Sequence, residues 1–127
     1  MFITSSLIRV LISKALKIDL SALESIVLSH GHYDHTSATV ELIKKSQRQV
    51  KVLVHPYAFL PKFRIRKKRR EYHGIPKREH ETDIQEAGGQ IIKITKPTEI
   101  IPGVITSGEI KRTYPFEKIT WKAKTII

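Results

Sequence analysis

Ser29-His30-Gly31-His32-Tyr33-Asp34-His35-Thr36 sets three imidazoles and one carboxylate within six positions, in a chain with six histidines altogether. Donors of these types suit zinc, and also manganese or iron. On an extended backbone side chains alternate, so His30, His32 and Asp34 fall on one side and His35 points elsewhere. The cluster then addresses two neighbouring metal positions rather than one. Gly31 permits a tight backbone path between the first two imidazoles. The bland alternative is a polar turn with incidental histidines, and the density of ligands argues against it.

The flanking residues give the cluster a place in a fold. Ser25-Ile26-Val27-Leu28 is a short apolar, β-branched run that reads as a buried strand. Thr36 or Ser37 is expected to cap a following helix, with Val40, Leu42 and Ile43 as its apolar surface. Lys51-Val52-Leu53-Val54-His55-Pro56 reads as a second buried-strand run, with His55 at its carboxyl end. Strand, helix and strand within about thirty residues form a βαβ unit with parallel strands. Both strands then end on one sheet edge, where open α/β sheets bind ligands. Directly paired strands lie about 4.8 Å apart, which brings His55 to the rim of the cluster.

His30-x-His32-x-Asp34-His35 resembles the metal-binding motif of the metallo-β-lactamase superfamily. The longer string Leu28 to Thr36 is similar to that of one branch, the dihydropterin-ribofuranosylaminobenzene-phosphate synthase-like metal-dependent hydrolases. Ile18-Asp19-Leu20, His55-Pro56-Tyr57-Ala58-Phe59-Leu60, Glu86-Ala87-Gly88-Gly89, Ile101-Pro102-Gly103-Val104 and the stretch from Gly108-Glu109-Ile110 to Phe116-Glu117 also fit it. The resemblance implies an α/β chain, part of an αββα sandwich, with about one sheet and its flanking helices. It implies one or two divalent metals, zinc foremost, with His30 and His32 on one and Asp34 and His35 on the other. Asp34 is the candidate catalytic carboxylate, and Glu109 joins His55 at the rim. The implied reaction is metal-assisted hydrolysis of a phosphate-containing or pterin-like small molecule. The departures are equally specific. Thr36-Ser37-Ala38 stands where Thr-Gly-Gly is usual, the aspartates are Asp19, Asp34 and Asp83 alone, and no histidine follows His80. A bridging aspartate and the later histidines are therefore lacking. The expectation is a fragment, a split-gene product or a decayed relative, weak or inactive alone, joined by a second copy or a complementing chain.

At 127 residues the chain reads as one domain, spanning 1–127. Without cysteine it can form neither a disulfide nor a thiolate metal site, which fits the cytoplasm. Abundant Ile and Lys suit a thermophile. The opening stretch is too short and too charged for a membrane span or a signal peptide. Leu7, Val10, Leu11 and Ile18 suit an amphipathic helix.

The middle of the chain differs in character. A loop is expected at 61–78, holding the basic run Lys62 to Arg70, and the formal net charge is +11. Arg64, Arg66, Lys67, Lys68, Arg69 and Arg70 are candidates for holding phosphate or nucleic acid beside the metal site. The alternative is a solvated, mobile loop. A noncatalytic nucleic-acid binder and a structural remnant are thus the readings that compete with the hydrolase. His73 and His80 read as surface histidines. Thr82-Asp83-Ile84-Gln85 resembles a capping box for a short helix ended by Gly88. Gln90–Thr95, Glu99–Ile101, Val104–Thr106 and Glu109–Thr113 read as short strands, with Lys111 or Arg112 as alternative partners for Glu109.

Overall fold

The computed structural model describes residues 12–67, 69–111 and 113–116. Leu7, Val10, Leu11, Lys68, Arg112 and Glu117 lie outside them. In chain order the elements are β1 (Ser25–Leu28), α1 (Tyr33–Thr36), α2 (Thr39–Ser46), β2 (Val50–Val54), β3 (Phe63–Arg66), β4 (Arg69–Tyr72), α3 (Glu81–Glu86), β5 (Gly89–Lys93), β6 (Thr98–Ile101) and β7 (Val104–Thr106), with 3-10 turns at Leu20–Ala22 and Pro56–Phe59.

The two apolar runs form the parallel pair expected of them. β2 is central in the order β1-β2-β5, and Ser25 to Leu28 align with Lys51 to Val54. β2 reads Val-Lys-Val-Leu-Val, and every residue but Lys51 is buried, as suits a central parallel strand covered on both faces. Val50, Val52 and Val54 are fully buried, with Ile43 from α2, Ile84 from α3, Ile75 and Ala58 packed around them. The parallel arrangement brings the segments after β1 and β2 to a single edge. The chain is accordingly α/β, with a three-stranded parallel sheet, its flanking helices and two separate two-stranded ribbons among the described residues.

The helix after the cluster starts later than its sequence predicts. Thr36 caps nothing: it is buried in α1 and its hydroxyl donates to the His32 carbonyl at 2.9 Å. The N-cap of α2 is Ala38, which has no side-chain acceptor. Glu79, distant in sequence, supplies one instead, its carboxylate accepting the Val40 N–H at 2.9 Å. At α3 the cap position is His80, whose N–H is accepted by Asp83 at 3.0 Å, rather than Thr82 with Gln85. Gly88, at φ +100°, ends this helix as expected.

The basic segment is not an irregular loop. Its residues alternate, and β3 and β4 pair as an antiparallel hairpin with Phe63 opposite Tyr72. Those rings pack edge-on at 5.5 Å, which gives the ribbon a cross-strand anchor. A second hairpin, β6–β7, turns through Pro102-Gly103. Glu109 is not in a strand. Gly108, at φ +67°, presses against the Lys96 backbone, and the Glu109 N–H then bonds the Thr95 carbonyl at 3.0 Å. Ile18, expected on a packed helix face, is exposed. Among the described residues no helix is long and apolar enough to cross a membrane.

Candidate metal centre

The loop leaving β1 turns at Gly31, and the reason lies across the sheet edge. A Cβ at position 31 would collide with the backbone of Ala58, above all its carbonyl oxygen. The loop therefore lies directly on the 3-10 turn that follows β2. The same Ala58 carbonyl accepts a hydrogen bond from the Lys62 ammonium at 2.7 Å, and Tyr57 and Leu60 carbonyls accept from it at 3.1 Å each. Burial lowers the Lys62 pKa. This cation closes the end of the turn and places positive charge beside His30 and His32.

Three imidazoles meet on this platform. The His30 ring lies 4.7 Å from His32, edge-on, and 4.1 Å from His35. The strict alternation of an extended backbone does not persist past β1, because Tyr33–Thr36 is a helical turn. Asp34 is in that turn, and His35 folds back onto His30 instead of pointing away. Ser29 joins them: its hydroxyl lies 3.1 Å from His30 Nδ1 and 3.4 Å from His35 Nδ1. Asp34 Oδ2 is 3.6 Å from His35 Nε2. Burial, followed by the charges of neighbouring histidines and Lys62, holds the His30 and His32 pKa values below the ordinary imidazole range. Neutral imidazole is the ligand form.

The donor types fit a divalent metal. Their present side-chain directions do not converge on one: among the described residues no group of three or more His, Cys, Asp or Glu stands ready to hold an ion. The cluster brings His30 and His35 nitrogens to the Ser29 hydroxyl, with His32 beside them.

His55 has a different character. Its Nδ1 accepts the Tyr57 N–H at 3.1 Å, so the proton of the neutral ring is on Nε2. That Nε2 is buried without a hydrogen bond, and its nearest carboxylate is Glu109 at 3.6 Å. An Nε2–H is a donor, not a metal ligand. His55 and Ser29 line one cavity of roughly 410 Å³, walled by Val27, Leu28, Ile94, Ile100, Ile105 and Ile110. Thr106, on the same cavity, also has a buried hydroxyl without a partner.

His73, expected at the surface, is instead beside the cluster, and Glu79 drew no sequence reading. His73 is half-buried, its carbonyl accepts the Tyr33 N–H at 3.2 Å, and its charge acts on His32. Glu79 is buried at the N-terminus of α2, and burial raises its pKa. Neither has a local motif; the hairpin connection and the start of α3 bring them in. Arg66, Lys67, Arg69 and Arg70 are exposed on the hairpin, and Arg64 is half-buried there.

The family model described as metallo-beta-lactamase superfamily matches residues 2–120. The chain belongs to that superfamily. Among curated proteins it is similar to the 7,8-dihydropterin-6-methyl-4-(beta-D-ribofuranosyl)-aminobenzene-5'-phosphate synthase of Methanocaldococcus jannaschii, 29% identical over 90% of this chain and 37% of the relative. It is also similar to an uncharacterized protein of the same organism, 36% identical over 72% of this chain and 34% of the relative. The chain thus spans little more than a third of the length of these curated relatives.

Proposed function

We propose that the chain is a metal-dependent hydrolase-like domain of the metallo-beta-lactamase superfamily, with residues 1–127 forming one unit. The observation that carries this is the gathering of His30, His32 and His35 on a loop that Gly31 seats against the turn after β2. His30, His32, Asp34 and His35 would hold one or two divalent ions, with zinc favoured and manganese or iron as alternatives. Bound there, such an ion would supply activation of water and polarisation of a phosphoryl or carbonyl oxygen. Ser29 orients the His30 and His35 rings through their Nδ1 atoms. His55 donates its Nε2 proton to a substrate oxygen at the rim, and Glu109 keeps that tautomer oriented. Asp34 is the candidate catalytic carboxylate.

The substrate class is a small molecule bearing phosphate or a pterin-like ring, a reading supported by the name of the synthase it resembles. Four ligands shared between two ions leave each with about two protein bonds, fewer than catalytic sites usually have. Activity of this chain alone is therefore weak or nil. A second copy or a complementing chain completes the site, a reading supported by the exposed apolar side chains of Val27, Ile105 and Ile110. Sedimentation that shows a monomer with no affinity for other chains would count against it. The absence of cysteine supports placement in the cytoplasm.

The test is phosphodiesterase and lactonase turnover by the 127-residue protein with added zinc, manganese or iron. Little turnover is expected, and whatever occurs should disappear on chelation and in His35→Ala. Turnover that survives both would sink the metal reading. Robust turnover that His35→Ala abolishes would show a complete site rather than a partial one.

A further inference from the structure

The β3–β4 hairpin has more positive charge than its own fold can use. Its register sets Arg66 directly opposite Arg69. Like charges in that relation destabilise a ladder, and a two-stranded ribbon has little stability to spare. The ribbon's carboxylate offers no relief: Glu71 lies across from Arg64 and is turned to His73, 3.6 Å away. Among the described residues no carboxylate lies within ion-pair reach of Arg66, Lys67 or Arg69. All three are exposed, and Lys67 has φ +45°, in the left-handed region that turns favour.

The root of the ribbon is firmly held. The His73 N–H bonds the Lys62 carbonyl at 2.8 Å, and the Tyr72 hydroxyl donates to the Ile75 carbonyl at 2.8 Å. Side-chain alternation puts Arg66 and Arg69 on one face and Arg70 on the other, where its guanidinium lies 4.5 Å from the centre of the Phe63 ring.

We propose that the end of this hairpin is an arm that grips the phosphates of single-stranded nucleic acid through Arg66, Lys67, Arg69 and Arg70. One phosphate group carries a charge of about −1.5 to −2, too little for four cations, whereas a chain of phosphates neutralises them all. Cations on both faces suit a flexible strand, which can wrap a ribbon, better than a stiff duplex that meets one face. An anion between Arg66 and Arg69 removes their repulsion, so binding stabilises the hairpin. The exposed cations of the ribbon are Arg66, Lys67, Arg69 and Arg70. The contacts proposed here are made to phosphate, which carries no sequence information, so recognition is independent of sequence.

The arm needs no metal, so the test is done in chelator and is separate from the fate of the hydrolase reading. Fluorescence polarisation of a labelled oligouridine about twelve nucleotides long should show binding to the full chain. Three to four phosphate contacts predict affinity about 20- to 50-fold weaker at about 200 mM than at about 50 mM salt. Arg66→Ala with Arg69→Ala should lower the salt slope by about 1.4, and its thermal midpoint should equal or exceed the wild type's because the opposed pair is gone. No binding at low salt, or an unchanged slope in that folded variant, overturns the proposal. So does displacement by millimolar inorganic phosphate, or tighter binding of a duplex of the same length.

Discussion

An alanine at position 31 would drive its Cβ into the Ala58 carbonyl, and that carbonyl is already fixed by the Lys62 ammonium. The neighbour cannot yield, so the loop must shift. Gly31→Ala should cost about 1–3 kcal/mol and separate the imidazoles, seen as a lower thermal midpoint together with weaker metal binding; a midpoint equal to the wild type's would contradict the close approach. The histidines make a second residue-scale prediction. Burial depresses the His30 and His32 pKa values, so the folded state binds fewer protons there than the unfolded state, whose value is 6.5. Their contribution is complete above that pH and is lost as pH falls through the depressed folded values. In metal-free protein the thermal midpoint should therefore fall below pH 6.5 more steeply than in a variant lacking both rings. Equal slopes would refute it.

At the scale of elements, what the sequence made legible was local. β1 and β7 match their predicted ends and β6 begins one residue earlier than predicted, because apolar runs between turn residues need no distant partner to be read; β2 also begins one residue early but stops at Val54, before the His55-Pro56 that the run was read to include. The start of α2 was illegible because its acceptor comes from Glu79, while the local candidates Thr36 and Ser37 are occupied in the preceding turn. The Glu109 segment looked like a strand by composition, yet Gly108 packs it on Lys96 and its described residues form no ladder. Within the site, the ligand types were legible and their directions were not: a helical turn at Tyr33 brings His35 back onto His30. His73 was passed over because only the hairpin connection brings it beside Tyr33. The remote cap can be tested. Glu79→Ala removes a carboxylate–amide bond and should cost about 1–3 kcal/mol, with amide exchange fastest in the first turn of α2. Protection that is unchanged there would show that the bond contributes nothing.

For the whole molecule, a three-stranded parallel sheet brings the segments after β1 and β2 to one edge, and the candidate chemistry gathers there. β2 and the helices around it form a buried core, while Val27, Ile105 and Ile110 leave apolar surface beside the His55 cavity. Folding and site assembly are thus separable: the core holds the loop in place whether or not the ligand set is complete. The central claim is that the loop from Ser29 to Thr36 binds metal, and elemental analysis of the dialysed protein measures this most directly. After incubation with zinc or manganese, the wild type should retain the ion and folded His32→Ala should lose most of it. Equal metal content in the two proteins, or none in either, would contradict the account.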